Sequence, residues 1–336
     1  MNADIVFTRG TIRTGAAGVP VSDALAVTGD RISALGEAAL SARGPGTEVV
    51  DLAGGALLPA FGDGHVHPLA GGMSLRNVQV RDCTGVEEVC KAVRTWAAEH
   101  PEAEWITGEG VDPWLAPGGC FDARWLDAAV PDRPVLLRTM DLHTAWVNSE
   151  ALRRAGYTAA TPDPTGGQIV RRDGSSEPLG TLREFGAMNP ILALLPEPGL
   201  DLRLTALREA TTRLAAAGVT WVQDALAGPE EAETWIAAAE DLPVRAGLAF
   251  LMEPEHWREQ IGRFPGDQDR VESAAPGTLT GNAVKFFADG VIEAGTAALL
   301  RPYTDCPHSH GIANWSPREL ADAGLAGWSM RPSGWR

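Results

Sequence analysis

Short stretches in which apolar and polar residues alternate open the chain. Asp4–Thr8, Ala24–Thr28, Arg31–Leu35 and Glu48–Asp51 each read as a strand, with Gly10, the Gly29-Asp30 pair and Gly54-Gly55 as punctuation. Together they predict a small β-layer over residues 1–56. The unbroken apolar run Ala56–Phe61 then predicts a strand buried on both faces, and it ends in Gly62-Asp63-Gly64-His65-Val66-His67-Pro68. Between about 76 and 200 the pattern is mixed and reads as an insertion. Its clearest element is a helix over 85–99, with Thr84 and Glu87 as a capping box and Val86, Val89, Cys90, Val93 and Trp96 as the apolar face.

Beyond 200 the periods alternate cleanly. Helices are predicted over 202–217, 229–240 and 254–263, and strands over 219–224, 244–250 and 283–289. Helices alternating with apolar strands imply a parallel sheet wrapped by helices. Ser316-Pro317-Arg318-Glu319 opens a further helix with a capping box and a proline at its first position. That helix calls for another strand, yet Trp328–Arg336 holds no apolar run, so the pattern stops partway.

Composition narrows the function classes. A net charge of −16 argues against binding to nucleic acid or to an anionic membrane surface. Met1–Asp4 shows no basic start of a secretory signal, and no stretch approaches the about 18 uninterrupted apolar residues of a membrane span. Cys83, Cys90, Cys120 and Cys306 form no C-x-x-C pair and are too few for a disulfide framework. The expected setting is cytoplasmic.

Two features could carry chemistry. Successive side chains of a strand point to opposite faces, so His65 and His67 point the same way and can share a divalent metal. Such a pair alone is weak evidence, and an incidental pair is the competing reading. Its place at the end of an apolar strand strengthens the metal reading, because parallel α/β folds put their sites there. Lys285 lies within Ala283–Ala288, a strand apolar enough to predict burial, where an ammonium is costly unless paired or neutralised. It either snorkels or pairs with Asp289, or it stays neutral and takes up CO₂ to form a carbamate that bridges two metals.

The segments Leu57–His67, Asp141–Ser149, Val284–Gly290 and Thr296–Tyr303, in this order, resemble the amidohydrolase superfamily. The branch they resemble is amidohydrolase family 3, the YtcJ-like and N-substituted formamide deformylase-like proteins. The resemblance spans residues 4–325. It implies an α/β fold: an incomplete (β/α)8 TIM-type barrel of about strands 1–4 over 57–336, the N-terminal part of a small β-sandwich over 1–56, and an insertion subdomain over about 76–200. It implies hydrolysis of a non-peptide carbon–nitrogen, amide-like bond by metal-activated water. Carried over by position, His65, His67 and Lys285 are the metal ligands, Lys285 as a carboxylated bridge, and the divalent metal is expected to be zinc. Ala60 stands where the family usually has glycine. The family's later histidines and its catalytic aspartate have no counterpart, so the chain reads as C-terminally truncated and its catalytic residue is unknown. The alternative is therefore a catalytically inactive fragment.

The expected partner is a small-molecule substrate. His143 and Asp141 are candidate substrate contacts, with an ordinary Asx-type turn as the competing account. Among the 11 tryptophans, Trp114 is the candidate for an aromatic pocket wall, against simple core filling. Glu184, Asp224 and Asp289 are weaker candidates with structural alternatives. His308 and His310 read as exposed loop residues. A homodimer in which two halves complete one barrel is a further arrangement the sequence allows.

Overall fold

The computed structural model describes residues 2–164, 167–290, 292, 297–304 and 307–329. Thr296, Cys306 and the tail 330–336 lie outside the described residues. The chain divides into two compact units, one of Met1–Gly62 with Gly218–Thr220 and the other of Asp63–Ala217 with Trp221–Arg336.

The first unit holds β1 (Ile5–Ile12), β2 (Ser22–Thr28), β3 (Arg31–Leu35), α1 (Glu37–Ser41), β4 (Glu48–Asp51) and β5 (Ala56–Leu57). They form one mixed five-stranded sheet of order β3-β2-β1-β4, with β5 also on β1. Val6, Ala24, Ala26 and Ala39 make its small core. The apolar run at 56–61 is not one buried strand. Ala56 and Leu57 pair with β1, Pro59 interrupts, and a separate strand starts at Phe61. Leu58 is 56 % exposed and Phe61 66 %, so apolarity here does not mean burial.

The second unit begins within β6 (Phe61–Val66), at Asp63, and continues with α2 (Pro68–Ser74). The stretch that reads as mixed carries a sheet of its own: β7 (Val78–Gln79), α3 (Val86–Glu99), β8 (Ile106–Val111), α4 (Ala123–Asp127), β9 (Val135–Thr139), β10 (Thr144–Val147), α5 (Ser149–Arg154), β11 (Gln168–Arg171), β12 (Pro178–Arg183) and α6 (Glu184–Leu192). Its six strands run in the order β11-β12-β10-β9-β8-β7. Period two splits the side chains between two cores. Val135, Leu137 and Trp146 join α3's Val89 and Val93 in one core, whereas Leu136, Ala145 and Val147 join Leu152, Met188 and Ile191 in the other. The predicted capping box of α3 does not form: the N-cap is Gly85, without a side-chain cap bond, and Glu88, not Glu87, accepts from the Thr84 backbone N–H and hydroxyl at 2.8 and 3.0 Å.

The alternating region follows as α7 (Leu200–Ala216), β13 (Val219–Ala227), α8 (Pro229–Ala238), β14 (Arg245–Met252), α9 (Trp257–Ala274), β15 (Leu279–Phe286) and α10 (Pro317–Ser329). The sheet order is β15-β14-β13-β6, and the β13–β14 and β14–β15 pairs are parallel. Among the described residues it is an open sheet with β6 and β15 at its edges, not a closed barrel. Ser316 and Glu319 form the predicted capping box, with the Glu319 N–H donating to Ser316 Oγ at 3.2 Å and Ser316 Oγ to Glu319 Oε2 at 2.7 Å. Among the described residues no helix is long and apolar enough to cross a membrane.

Candidate metal centre

His65 and His67 sit where β6 hands over to α2. Asp63 Oδ1 accepts from the His65 backbone N–H at 3.0 Å, an Asx-type turn that sets the chain's direction through the glycines. His67 is the residue before the first turn of α2, and its carbonyl accepts from Gly71 N–H at 2.9 Å. The two rings meet edge to face, 5.5 Å between centroids, and both side chains are exposed. The period-two prediction that they share a face is consistent with this contact.

Behind His67 lies Asp224 of β13, which sequence reasoning ranked as a weak candidate. His67 Nδ1 is 3.5 Å from Asp224 Oδ1; the His67 side chain is 43 % exposed and that of Asp224 only 2 %. Asp224 Oδ2 accepts from the indole N–H of Trp235 on α8 at 2.8 Å, and Oδ1 from the Leu226 backbone N–H at 3.4 Å. Burial pushes the Asp224 carboxyl above the usual carboxylate range, and the Trp235, Leu226 and His67 interactions pull back only part of the way. The one signal in the sequence is an aspartate at the end of the predicted strand 219–224; its partner Trp235 gives none.

Lys285 is half-buried on β15, opposite Leu251. The prediction of a fully buried lysine is corrected here, because β15 is an edge strand and its residues from Asn282 to Phe286 are all partly exposed. Its amine lies 4.9 Å from the centroid of the Phe287 ring, and no ion pair links it to Asp289 among the described residues. Asp289 instead accepts from the Ala298 backbone N–H at 2.8 Å. In strand order Lys285 is three strands from the histidines, at about 5 Å per strand.

The substrate candidates lie in the inserted sheet domain. His143 Nδ1 is 2.9 Å from Glu184 Oε2, and the Glu184 backbone N–H donates to the His143 carbonyl at 2.8 Å. Leu142 and Glu184 both adopt left-handed backbone, at φ 64° and 63°, a strained conformation for such residues. Asp141 Oδ1 accepts from the Thr139 hydroxyl at 2.5 Å and the His143 N–H at 3.0 Å, so it does form the Asx-type turn. Met140 and Leu142 of this loop line a cavity of about 410 Å³ together with Arg81, Asp82, Glu88 and Glu109. Trp114 is 88 % exposed in a short turn at Pro113–Leu115, which is not the setting of a pocket wall. His308 and His310 are exposed. Asn148 lies within the Asp141–Ser149 segment. It is buried, with Oδ1 accepting from Val135 and Ala151 N–H and Nδ2 donating to the Val130 and Arg133 carbonyls.

Two imidazoles on one strand end, one backed by a buried carboxylate, fit as nitrogen ligands of a divalent metal. They do not make a complete set. Among the described residues, no group of three or more His, Cys, Asp or Glu side chains is placed to hold a metal.

Comparison with known proteins places this arrangement. The chain is 30 % identical to Protein LONG AFTER FAR-RED 3 of Arabidopsis thaliana over 96 % of its own length and 57 % of that protein's. It is 31 % identical to the putative amidohydrolase YtcJ of Bacillus subtilis over 80 % of this chain and 50 % of that one, and 28 % identical to the N-substituted formamide deformylase of Arthrobacter pascens over 95 % and 60 %. It thus spans between half and three fifths of these relatives. A metal-dependent hydrolase of Pyrococcus furiosus has the same fold, with a TM-score of 0.70 at 24 % identity, over 97 % of this chain and 65 % of that one. The model of the amidohydrolase family matches residues 48–332, most of the sequence, and the chain belongs to that family.

Proposed function

We propose that the chain contributes the first part of a metal-dependent hydrolase that cleaves a non-peptide carbon–nitrogen, amide-like bond of a small molecule with metal-activated water. The observation that carries this is the His65–His67 pair at the end of β6, backed by Asp224, in a chain of the amidohydrolase family. The ends of β6 and β13 and the last residues of β15 hold the chemistry-bearing side chains, the end of a parallel sheet at which α/β enzymes bind their ligands. On this reading the open sheet is strands 1–4 of a (β/α)8 barrel, and the five-stranded unit belongs to a β-sandwich.

A divalent cation, zinc by ligand preference, supplies Lewis acidity and lowers the pKa of the water it carries. The chain's own residues hold and orient. His65 and His67 bind the cation through ring nitrogens, and Lys285, as a carbamate, is the proposed further ligand. His143 and Asp141 contact the substrate, with His143 held by Glu184; Trp114 would contribute only on ordering against that substrate. No described residue is assigned to move the proton to the leaving amine.

A second reading has its own support: the lack of a three-residue ligand cluster among the described residues favours a chain that binds metal weakly and does not turn over. Emission spectroscopy on zinc-loaded protein, paired with an assay on N-formyl and N-acyl amides, separates the two. Stoichiometric zinc lost in His65→Ala and His67→Ala, together with amide hydrolysis, supports the hydrolase. Bound zinc without hydrolysis supports the second reading, and no stoichiometric zinc in the wild type refutes the metal site itself.

A further inference from the structure

We propose that Asp224 is a positioning residue that fixes the tautomer of His67, holding the proton on Nδ1 so that Nε2 is the nitrogen offered to a divalent cation. This rests on reading His67 as a metal ligand. The carboxylate cannot turn freely: its side chain is 2 % exposed, and Oδ2 is tied to the indole N–H of the fully buried Trp235 at 2.8 Å. The other oxygen therefore faces His67 Nδ1, 3.5 Å away. An ionised carboxylate only accepts hydrogen bonds. A lone pair on Nδ1 would set a second acceptor against the buried oxygen, whereas an N–H there gives the carboxylate a donor. The proton on Nδ1 leaves the lone pair on Nε2, toward the far edge of the ring.

A purely structural role explains less. Oδ2 accepts the indole N–H at 2.8 Å and Oδ1 the Leu226 N–H at a long 3.4 Å, which leaves Oδ1 the capacity for a further donor that an N–H on His67 supplies. Metal-binding histidines characteristically pass their second ring N–H to a carboxylate or carbonyl, which sets both tautomer and ring orientation. Asp224 stands in that relation to His67, and no carboxylate is paired with the His65 ring among the described residues.

The substitution Asp224→Asn gives a sharp test, because the Trp235 N–H still requires an oxygen. The 2.8 Å Trp235 bond has a stronger claim on the single amide oxygen than the 3.4 Å Leu226 bond, so the amide turns its NH₂ to His67, and a donor facing Nδ1 inverts the tautomer. Nitrogen-15 NMR of histidine-labelled, metal-free full chain should show His67 protonated on Nδ1 in the wild type and on Nε2 in Asp224→Asn. Zinc affinity, measured by competition with a chelating dye, should fall by about 10- to 100-fold in Asp224→Asn. Trp235→Phe, which keeps the carboxylate, should retain the wild-type tautomer. His67 protonated on Nε2 in the wild type overturns the proposal whether or not the variant folds. So does a wild-type zinc affinity in Asp224→Asn. A wild type that binds no zinc, with the tautomer as expected, overturns it by a different route, through failure of the metal reading.

Discussion

Two adjacent glycines in α2 should respond to the same substitution with opposite signs. Gly71 is exposed, and a Cβ built there meets nothing within 4 Å. Gly72 is buried against α7, and a Cβ there would lie 2.5 Å from the carbonyl carbon of Ala206 and closer still to its oxygen. Carbon atoms in contact sit about 3.5 to 4.0 Å apart, so α2 and α7 would have to separate by about 1 Å or more. Alanine is favoured over glycine in a helix by about 1 kcal/mol at either site. Overpacking typically costs about 1 to 3 kcal/mol, and a clash with backbone cannot be relieved by a rotamer change. Gly71→Ala should therefore stabilise by up to about 1 kcal/mol. Gly72→Ala should destabilise by up to about 2 kcal/mol net, the upper overpacking cost less the propensity gain. Urea unfolding followed by tryptophan fluorescence reads both. The shift of α2 should also disturb His67, whose carbonyl is bonded to Gly71 N–H, so zinc affinity should drop in Gly72→Ala only. Midpoints that move in the same direction by similar amounts would refute the packing argument.

Asn148→Ala should be among the most damaging changes in the inserted sheet domain. It strands four backbone groups, so at about 1 kcal/mol each the loss is roughly 4 kcal/mol by urea titration. A change below about 0.5 kcal/mol would show that the four bonds carry no net stability. Asp122 caps α4 through the Arg124 N–H and is held by Arg172 in a two-pronged pair at 2.6 and 2.8 Å. Burial raises its pKa, but Arg172 and the Arg124 N–H outweigh that and leave it below the usual carboxylate range. A depressed folded pKa means stability that is fully present above the unfolded value of about 3.9 and is lost as pH falls through the folded pKa. Because asparagine caps nearly as well, Asp122→Asn isolates the charge. The gap in urea midpoint between wild type and Asp122→Asn should hold from pH 7 to about pH 4 and close only below; a gap already gone at pH 5 refutes the assignment.

What the sequence conveyed depended on whether helices and strands follow one another in simple alternation. α7, β13, α8 and β14 do so, and that order located them. α9 was read too short, because Gly262, Pro265 and Gly266 look like a stop. Burial of Trp257, Ile261, Phe264 and Val271 at helical spacing outweighs that penalty and carries the helix to Ala274. The inserted sheet was illegible for a different reason. The β11-β12-β10-β9-β8-β7 order rests largely on pairings far apart in sequence. The histidine pair was legible because period two is local. Asp224 was not, since its role depends on β13 lying beside β6 and on Trp235 arriving from α8.

Lys285 shows how a sound local inference can lose its premise. A carbamate forms on a neutral amine, and burial was to supply that amine. On the edge strand β15 the burial is only partial, and the amine lies over the Phe287 ring, a contact that favours a cation. The case for carboxylation then rests on family resemblance alone and requires a cover over β15 that the described residues do not provide. The two histidines are in a different position, since Asp224 supports His67 from within the sheet whatever happens at the far edge. A site of two imidazoles should bind zinc, but more weakly than one closed by a third or fourth ligand. Zinc affinity is therefore the quantity that distinguishes the alternatives. A weak affinity that depends on Asp224 but not on Lys285 marks the histidine pair as a self-supporting half site, and an affinity that falls in Lys285→Ala restores the lysine to the metal.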